Sequence, residues 1–177
     1  MEELVKQVMD TFAGILTSVS YRRGAIIHAS NTTCNSLFIV KSGILRSYYF
    51  KDGKDITAHF AMRYGMVGAV DSLLRQTKSR YSIQALENSE VLRMDYGEME
   101  SFLAKKPSLE RLARKVSQEL YLDLVERLEG MLFLSAKERY DHLLNRYPQI
   151  TQYVSLGHIA SYLGITQETL SRIRNST

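Results

Sequence analysis

The chain has 177 residues, of which 45% are hydrophobic and 24% are charged, and its formal net charge is +4. This composition is typical of a globular protein with room for one large domain or two small ones. No segment approaches the roughly 20 apolar residues of a membrane span, and the acidic, amphipathic N-terminus does not resemble a secretory signal, so we expect a cytoplasmic protein. Cys34 is the only cysteine, which excludes an intrachain disulfide framework and a metal cluster held by several thiolates.

The first half of the chain predicts a helix followed by a β-rich region. An amphipathic helix is expected over residues 2–18. Short apolar runs then recur between turn residues, at 25–28, 36–40, 44–50, 56–61, 81–86 and 90–94. The Asp52-Gly53 pair between two of these runs is the clearest hairpin signal. Several short strands at this spacing indicate a small barrel or jelly roll.

The periodicity changes from strand to helix at Asp95, which can cap a short helix to about Lys105, with Pro107 following. A long helix comes next, with one apolar stripe formed by Leu109, Leu112, Val116, Leu120, Leu124, Leu128 and Met131. The stripe either lies on the chain's own barrel or meets a second copy of the chain. Because this helix extends past a barrel of about 90 residues, we predict that its residues from Leu109 to Leu128 form a dimer seam.

The C-terminal region predicts three further helices. Ser135 and Glu138 form a capping box at the start of the first, which ends before Pro148. Two short helices joined by a tight turn follow, and their inward-facing positions are Ile159, Ala160, Leu163, Leu170 and Ile173. Gly164 can take the positive φ that ends the first of these two helices, and Ser155 and Thr166 can cap their N-termini. This spacing is typical of a helix-turn-helix, although an ordinary helical hairpin is the alternative.

If the motif reads DNA, the first turn of its second helix meets base edges. Gln167 can bond adenine, Glu168 can accept from cytosine, and Arg172 can donate to guanine or pair with Glu168. Ser171 and Arg174 suit phosphates. The predicted DNA-binding residues are therefore Thr166, Gln167, Glu168, Thr169, Ser171, Arg172 and Arg174. A role of Glu168 that needs no DNA is to interact favourably with the helix dipole.

A β-rich region, a long helix and a C-terminal helix-turn-helix, in this order, resemble the CRP/FNR family of bacterial transcription regulators over nearly the whole chain. The motifs are Gln167-Glu168-Thr169 followed by Arg172, and residues 68–85, which are similar to the family's phosphate-binding cassette. The overall style is similar to members found in Bacteroidetes. The resemblance implies an α+β fold with a cyclic-nucleotide-binding-like β-roll at 1–107, a dimerisation helix at 108–131 and a helix-turn-helix domain at 132–177. It implies a homodimeric regulator that is not an enzyme, with double-stranded DNA and RNA polymerase as partners.

The candidate effector-binding residues within the cassette are Gly68, Ala69, Ser79, Arg80 and Tyr81. In family members that bind cyclic nucleotides, a glutamate binds the ribose hydroxyl where Ala69 stands, and a small hydroxyl residue stands in place of Tyr81. Alanine cannot accept that hydrogen bond, and tyrosine fills space that the phosphate needs, so we predict no useful binding of cyclic AMP. Arg80 either serves an unknown anionic effector or pairs with a carboxylate such as Asp71. No cofactor is predicted.

The C-terminal region departs from the family pattern in two places. Gln167 replaces an arginine that usually precedes the glutamate in the family, so the familiar operator cannot be assumed. No β-hairpin wing is evident after the second helix, which would make tight DNA binding depend more on dimerisation.

The alternative function is a small-molecule-binding module that acts through protein contacts without DNA. A cupin-like metalloenzyme is disfavoured because the four histidines are scattered along the sequence, at His28, His59, His142 and His158.

Overall fold

The computed structural model describes residues 1–175. Its helices are α1 (Glu2–Thr11), α2 (Val70–Arg75), α3 (Tyr96–Ala104), α4 (Glu110–Phe133), α5 (Ala136–Arg146), α6 (Ile150–Tyr153), α7 (Leu156–Leu163) and α8 (Gln167–Asn175). Its strands are β1 (Leu16–Tyr21), β2 (Ile26–His28), β3 (Ser36–Ser42), β4 (Leu45–Lys51), β5 (Lys54–Ala61), β6 (Met66–Val67), β7 (Ser82–Ala85) and β8 (Ser89–Asp95). No helix in these residues is both long and apolar enough to cross a membrane.

The strands form two four-stranded sheets, in the orders β1-β8-β3-β6 and β2-β7-β4-β5. A cluster of buried apolar side chains joins the two sheets, and it includes Phe38 and Val40 from the first and Leu45 and Ile83 from the second. Alternation of side chains along a strand sends every second residue into this cluster. The predicted β-roll is therefore confirmed.

A second cluster covers the outer face of the first sheet. Val5 and Val8 of α1 pack there with Ile39, which follows Phe38 on the opposite face of β3. Leu112 and Val116 from the first turns of α4 join the same cluster and are almost fully buried. Burying an apolar helix face of this kind stabilises the fold by removing its surface from water.

The predicted helix over residues 2–18 is too long. α1 ends at Thr11, a 3₁₀ turn spans Ala13–Ile15, and β1 then pairs antiparallel with β8 from Leu16 to Tyr21. Exposed and half-buried residues alternate from Ser18 to Tyr21, which is a strand pattern, and pairing with β8 satisfies the backbone groups on one edge of β1. The short elements β6, α2 and α6 were not expected from periodicity. The Asp52-Gly53 hairpin is confirmed, since both residues have positive φ, 51° and 72°, as a two-residue turn of this kind needs.

The chain divides into two compact units. Among the described residues, one unit contains 1–49 and 58–119, and the other contains 50–57 and 120–175. In the second unit α5 packs against α7 and α8. Its buried apolar residues, among those described, are Tyr140, Leu143, Ile150, Val154, Ile159, Ala160, Leu163 and Leu170.

The predicted start and stop signals of the C-terminal helices are confirmed. Ser135 and Glu138 make both bonds of the capping box, and Ser155 accepts the backbone N–H of His158 at 3.3 Å. Gly164 has φ +69° and ends α7. The part of the predicted helix-turn-helix domain after Asn175, and with it the expectation about a wing, lies outside the described residues.

Candidate nucleic-acid interface

Helix α8 has one buried face and one exposed polar face. Leu170 is fully buried and Ile173 is partly buried, as the helix-turn-helix spacing predicts. The predicted reading residues Gln167, Glu168, Ser171, Arg172 and Arg174 are all exposed, as is Thr166, and Thr169 is partly buried. The polar side chains therefore lie where a DNA duplex could reach them.

The first turn of α8 is held by its own side chains. Thr166 Oγ1 accepts the backbone N–H of Thr169 at 3.2 Å, and Arg172 Nη2 lies 3.4 Å from Thr169 Oγ1. A hydrogen bond to its own backbone N–H, another to the Thr166 hydroxyl and the nearby charge of Arg172 lower the pKa of Glu168. Glu168 is thus a carboxylate at a helix N-terminus, which is the role that needs no DNA, but it remains exposed and able to accept from a base.

The turn between α7 and α8 depends on a glycine in the left-handed region. Ile165 N–H donates to the carbonyl of Ala160 at 3.0 Å, across the left-handed Gly164. A Cβ built on Gly164 would lie 2.8 Å from Cε of Met131. Ala160 is 2% exposed, so its small size lets the two helices approach each other.

Arg139 of α5 fixes the end of α7, and sequence reasoning missed it. Its Nε donates to the carbonyl of Leu163 at 3.1 Å, and its Nη1 donates to the carbonyl of Leu134 at 2.6 Å. The last carbonyls of a helix have no partner within the helix, so these two bonds satisfy groups left over at the ends of α7 and α4. Arg127 has a similar position, with Nη2 3.4 Å from the Tyr162 carbonyl and its guanidinium 4.2 Å from the Tyr162 ring centroid.

The predicted dimer stripe on α4 divides into two parts. Leu112 and Val116 are buried in the first unit and Leu109 is partly buried, which is the alternative in which the stripe lies on the chain's own barrel. The later residues are exposed, Leu120 by 42%, Leu124 by 65% and Leu128 by 58%. Sequence reasoning did not include Tyr121 and Leu132 in the stripe, and both are 65% exposed. On the second half of α4, four exposed apolar side chains thus lie three or four residues apart on one face: Tyr121, Leu124, Leu128 and Leu132.

The glycine and alanine at the start of the cassette pack in the core. A Cβ on Gly68 would lie 2.8 Å from Cδ2 of Leu37 and 3.0 Å from Cδ1 of Leu73, so close packing against these two leucines favours glycine there. Ala69 is 0% exposed and belongs to a small apolar cluster with Cys34 and Leu73. A carboxylate at position 69 would therefore be buried among apolar groups.

The end of the cassette is an ordered polar network. Ser79 is 2% exposed, and its hydroxyl donates to Asp71 Oδ1 at 2.8 Å and accepts the Tyr81 N–H at 2.9 Å. Arg80 is exposed, and its guanidinium lies 5.7 Å and 5.2 Å from the ring centroids of Tyr49 and Tyr81. The backbone N–H of Arg80, at 3.4 Å, approaches Asp71 Oδ2. This contact uses the main chain of Arg80, whereas its guanidinium contacts the two tyrosine rings, so the contacts of the described residues do not include the predicted ion pair between the Arg80 side chain and Asp71.

His28 is a buried histidine beside this network. It is 9% exposed, its Nδ1 lies 3.5 Å from Thr32 Oγ1, and its Nε2 has no hydrogen-bond partner among the described residues. Burial lowers the pKa of His28, although the carboxylate of Asp71 acts in the opposite direction. No group of three or more His, Cys, Asp or Glu residues within 1–175 is placed to hold a metal ion.

The chain is similar to a known protein family, to curated bacterial proteins and to solved structures. The family model described as cyclic nucleotide-binding domain matches residues 18–106. Electron transport regulator A of Shewanella oneidensis is 27% identical over 168 residues, and the fumarate and nitrate reduction regulatory protein of Vibrio cholerae is 28% identical over 169 residues. Each alignment covers 86% of this chain and 65% of the relative, so the chain spans less than two thirds of the length of these relatives. The structure of FixK2 from Bradyrhizobium japonicum is similar in fold, with a TM-score of 0.75 and 22% identity over 92% of this chain and 84% of that chain.

Proposed function

The chain belongs to the cyclic nucleotide-binding domain family, in its CRP/FNR branch, and we propose that it is a cytoplasmic, homodimeric transcription regulator that binds double-stranded DNA at specific sequences. The observation that carries this proposal is α8. Its apolar face is buried through Leu170, while Gln167, Glu168 and Arg172 are exposed on a helix whose N-terminus is capped by Thr166. None of these three side chains is buried in the core.

Each exposed residue has a role in this proposal. Gln167 can make paired hydrogen bonds to adenine, and Arg172 can do the same to guanine. Glu168 is ionised, and a carboxylate near phosphates is unfavourable unless a cytosine amino group donates to it. Ser171 and Arg174 lie on the next turn of α8 and suit backbone phosphates, which add affinity without sequence information.

A second copy of the chain would supply the partner for the exposed stripe on α4. Leu124 and Leu128 at 65% and 58% exposure would be covered in a parallel pairing of two such helices. A twofold pair presents two α8 helices to half-sites about 34 Å apart, so the operator should be palindromic. RNA polymerase is a further partner in this proposal.

Selection of bound fragments from genomic DNA tests the proposal and gives the half-site spacing. Arg172→Ala should then reduce the preference for the selected operator by about 1–3 kcal/mol in a competition shift assay, because a bidentate base contact is lost. Arg174→Ala is the matched control, since loss of a phosphate contact should weaken binding to all sequences about equally and lower the salt dependence by about one counterion. Unchanged selectivity in Arg172→Ala would contradict the assigned role, and DNA affinity that does not fall with salt would favour the alternative of a protein-binding module.

We also propose that the β-roll domain does not respond to cyclic AMP. The position where the family has a ribose-binding glutamate is Ala69, which is fully buried in an apolar cluster, so its methyl group offers no acceptor for a hydroxyl. Calorimetric titration with cyclic AMP should show no binding in the micromolar range. Tight binding would refute this part of the proposal and leave DNA recognition untouched.

A further inference from the structure

Asp71, in the first turn of α2, accepts hydrogen bonds from three donors of the cassette. The backbone N–H of Ser72 lies at 2.9 Å, the hydroxyl of Ser79 at 2.8 Å and the backbone N–H of Arg80 at 3.4 Å. Two of the three donors stand at the end of the cassette, where the resemblance places the groups that bind an anionic effector. From these contacts we propose that Asp71 is a built-in occupant of the cassette: its carboxylate takes donors that an anionic effector would use and keeps this segment ordered.

Ser79, which donates its hydroxyl to Asp71, is itself held in place by the surrounding backbone. Besides its hydroxyl contacts, Ser79 uses both of its backbone groups, because its N–H donates to the Thr32 carbonyl at 3.0 Å and its carbonyl accepts the Asn31 N–H at 2.7 Å. These bonds hold the segment after β2 against the segment before β7. Asp71 therefore links the start of α2 to two chain segments that are already hydrogen-bonded to each other.

The side chain most suited to bind an anion is turned to other neighbours. The guanidinium of Arg80 lies over the rings of Tyr49 and Tyr81, and its Nη2 is 3.3 Å from the Tyr81 hydroxyl. A phosphate that entered would meet the carboxylate of Asp71 at hydrogen-bond distance from the same donors, and the like charges would repel each other. Anion binding would thus require Asp71 to leave, so the wild-type cassette is a structural element. This inference concerns the β-roll alone and does not depend on DNA binding.

Hydrogen exchange of backbone amides in the full chain tests the inference. In the wild type, the Arg80 amide should be protected in buffer free of phosphate, and neither inorganic phosphate nor cyclic AMP should change its exchange rate. Asp71→Asn keeps the shape but removes the charge, so protection at Arg80 should fall about tenfold or more. Added phosphate should restore part of that protection in the variant, because the donors are then available. Asp10→Asn is the matched control, since it removes an exposed carboxylate of α1 and should leave Arg80 unchanged.

Ser79→Ala provides a second route, because it removes a donor and keeps the carboxylate. It should lower protection at Tyr81 as well as at Arg80, since the Ser79 hydroxyl also accepts the Tyr81 N–H. The inference is overturned if phosphate or cyclic AMP raises the protection of Arg80 in the wild type, or if Asp71→Asn exchanges like the control. The wild-type measurement decides the question even where a variant folds poorly.

Discussion

Replacing Arg139 by methionine tests whether one side chain of α5 fixes the turn of the helix-turn-helix. The substitution keeps the apolar stem but removes the donors to the carbonyls of Leu163 and Leu134. A hydrogen bond that involves a charged group contributes about 1.5–3 kcal/mol. Arg139 is only partly buried, so water can replace part of each bond. We therefore expect the free energy needed to open the turn between α7 and α8 to fall by about 2 kcal/mol.

The amide of Ile165 reports this loss directly, because it donates to the Ala160 carbonyl within the same turn. A loss of about 2 kcal/mol corresponds to roughly thirtyfold faster exchange of that amide. Lys137→Met is the matched control, since it removes an exposed positive charge from the same helix. If the two variants showed equal exchange at Ile165, the contacts of Arg139 would have no role in holding the turn.

Two further predictions concern a glycine and a histidine. Gly164→Ala should destabilise the turn by about 1–2 kcal/mol, because an L-residue is strained in the left-handed region; its Cβ would also lie 2.8 Å from Met131 Cε. Gly164→Asn, which tolerates positive φ better, should lose less stability in urea denaturation, and a larger loss for asparagine would rule out backbone strain as the cause. Burial lowers the pKa of His28 below 6.5, so the unfolded chain binds this proton more readily, and the free energy of unfolding should fall as the pH drops through the unfolded value. His28→Gln should therefore lose less thermal stability than the wild type from about pH 7.5 to about pH 5.5, and equal losses would exclude His28 as the source.

Signals carried by neighbouring residues predicted the C-terminal helices well. Ser135 with Glu138, and Ser155 with the N–H three residues later, are contacts within one helical turn, so their spacing in the sequence already contains the geometry. The left-handed Gly164 is local in the same sense. The dimer seam was harder to predict, because a periodic stripe shows that a helix face is apolar but not which surface covers it.

The features that were missed depend on partners far away in the sequence. β1 is a strand because it pairs with β8, more than 70 residues later, as in the pair Leu16 and Met94, while its own sequence was compatible with an extended α1. Arg139 bonds a carbonyl 24 residues away, and main-chain acceptors leave no mark on the side chains that carry them. The sequence shows that Arg139 lies close to predicted helix ends, but it does not show which carbonyls Arg139 binds.

The two matching motifs differ in what their residues say about function. Gly68 matches the cassette, yet contact with Leu37 and Leu73 explains it without any ligand, and Ser79 is explained by Asp71 and Tyr81. By contrast, Arg172 is exposed, and the fold would tolerate many other residues at this position. A residue that packing in the core already explains carries little information about a ligand, whereas core packing does not explain a matching residue on an exposed helix face. The match in α8 therefore supports DNA recognition more strongly than the match in the cassette supports an anionic effector.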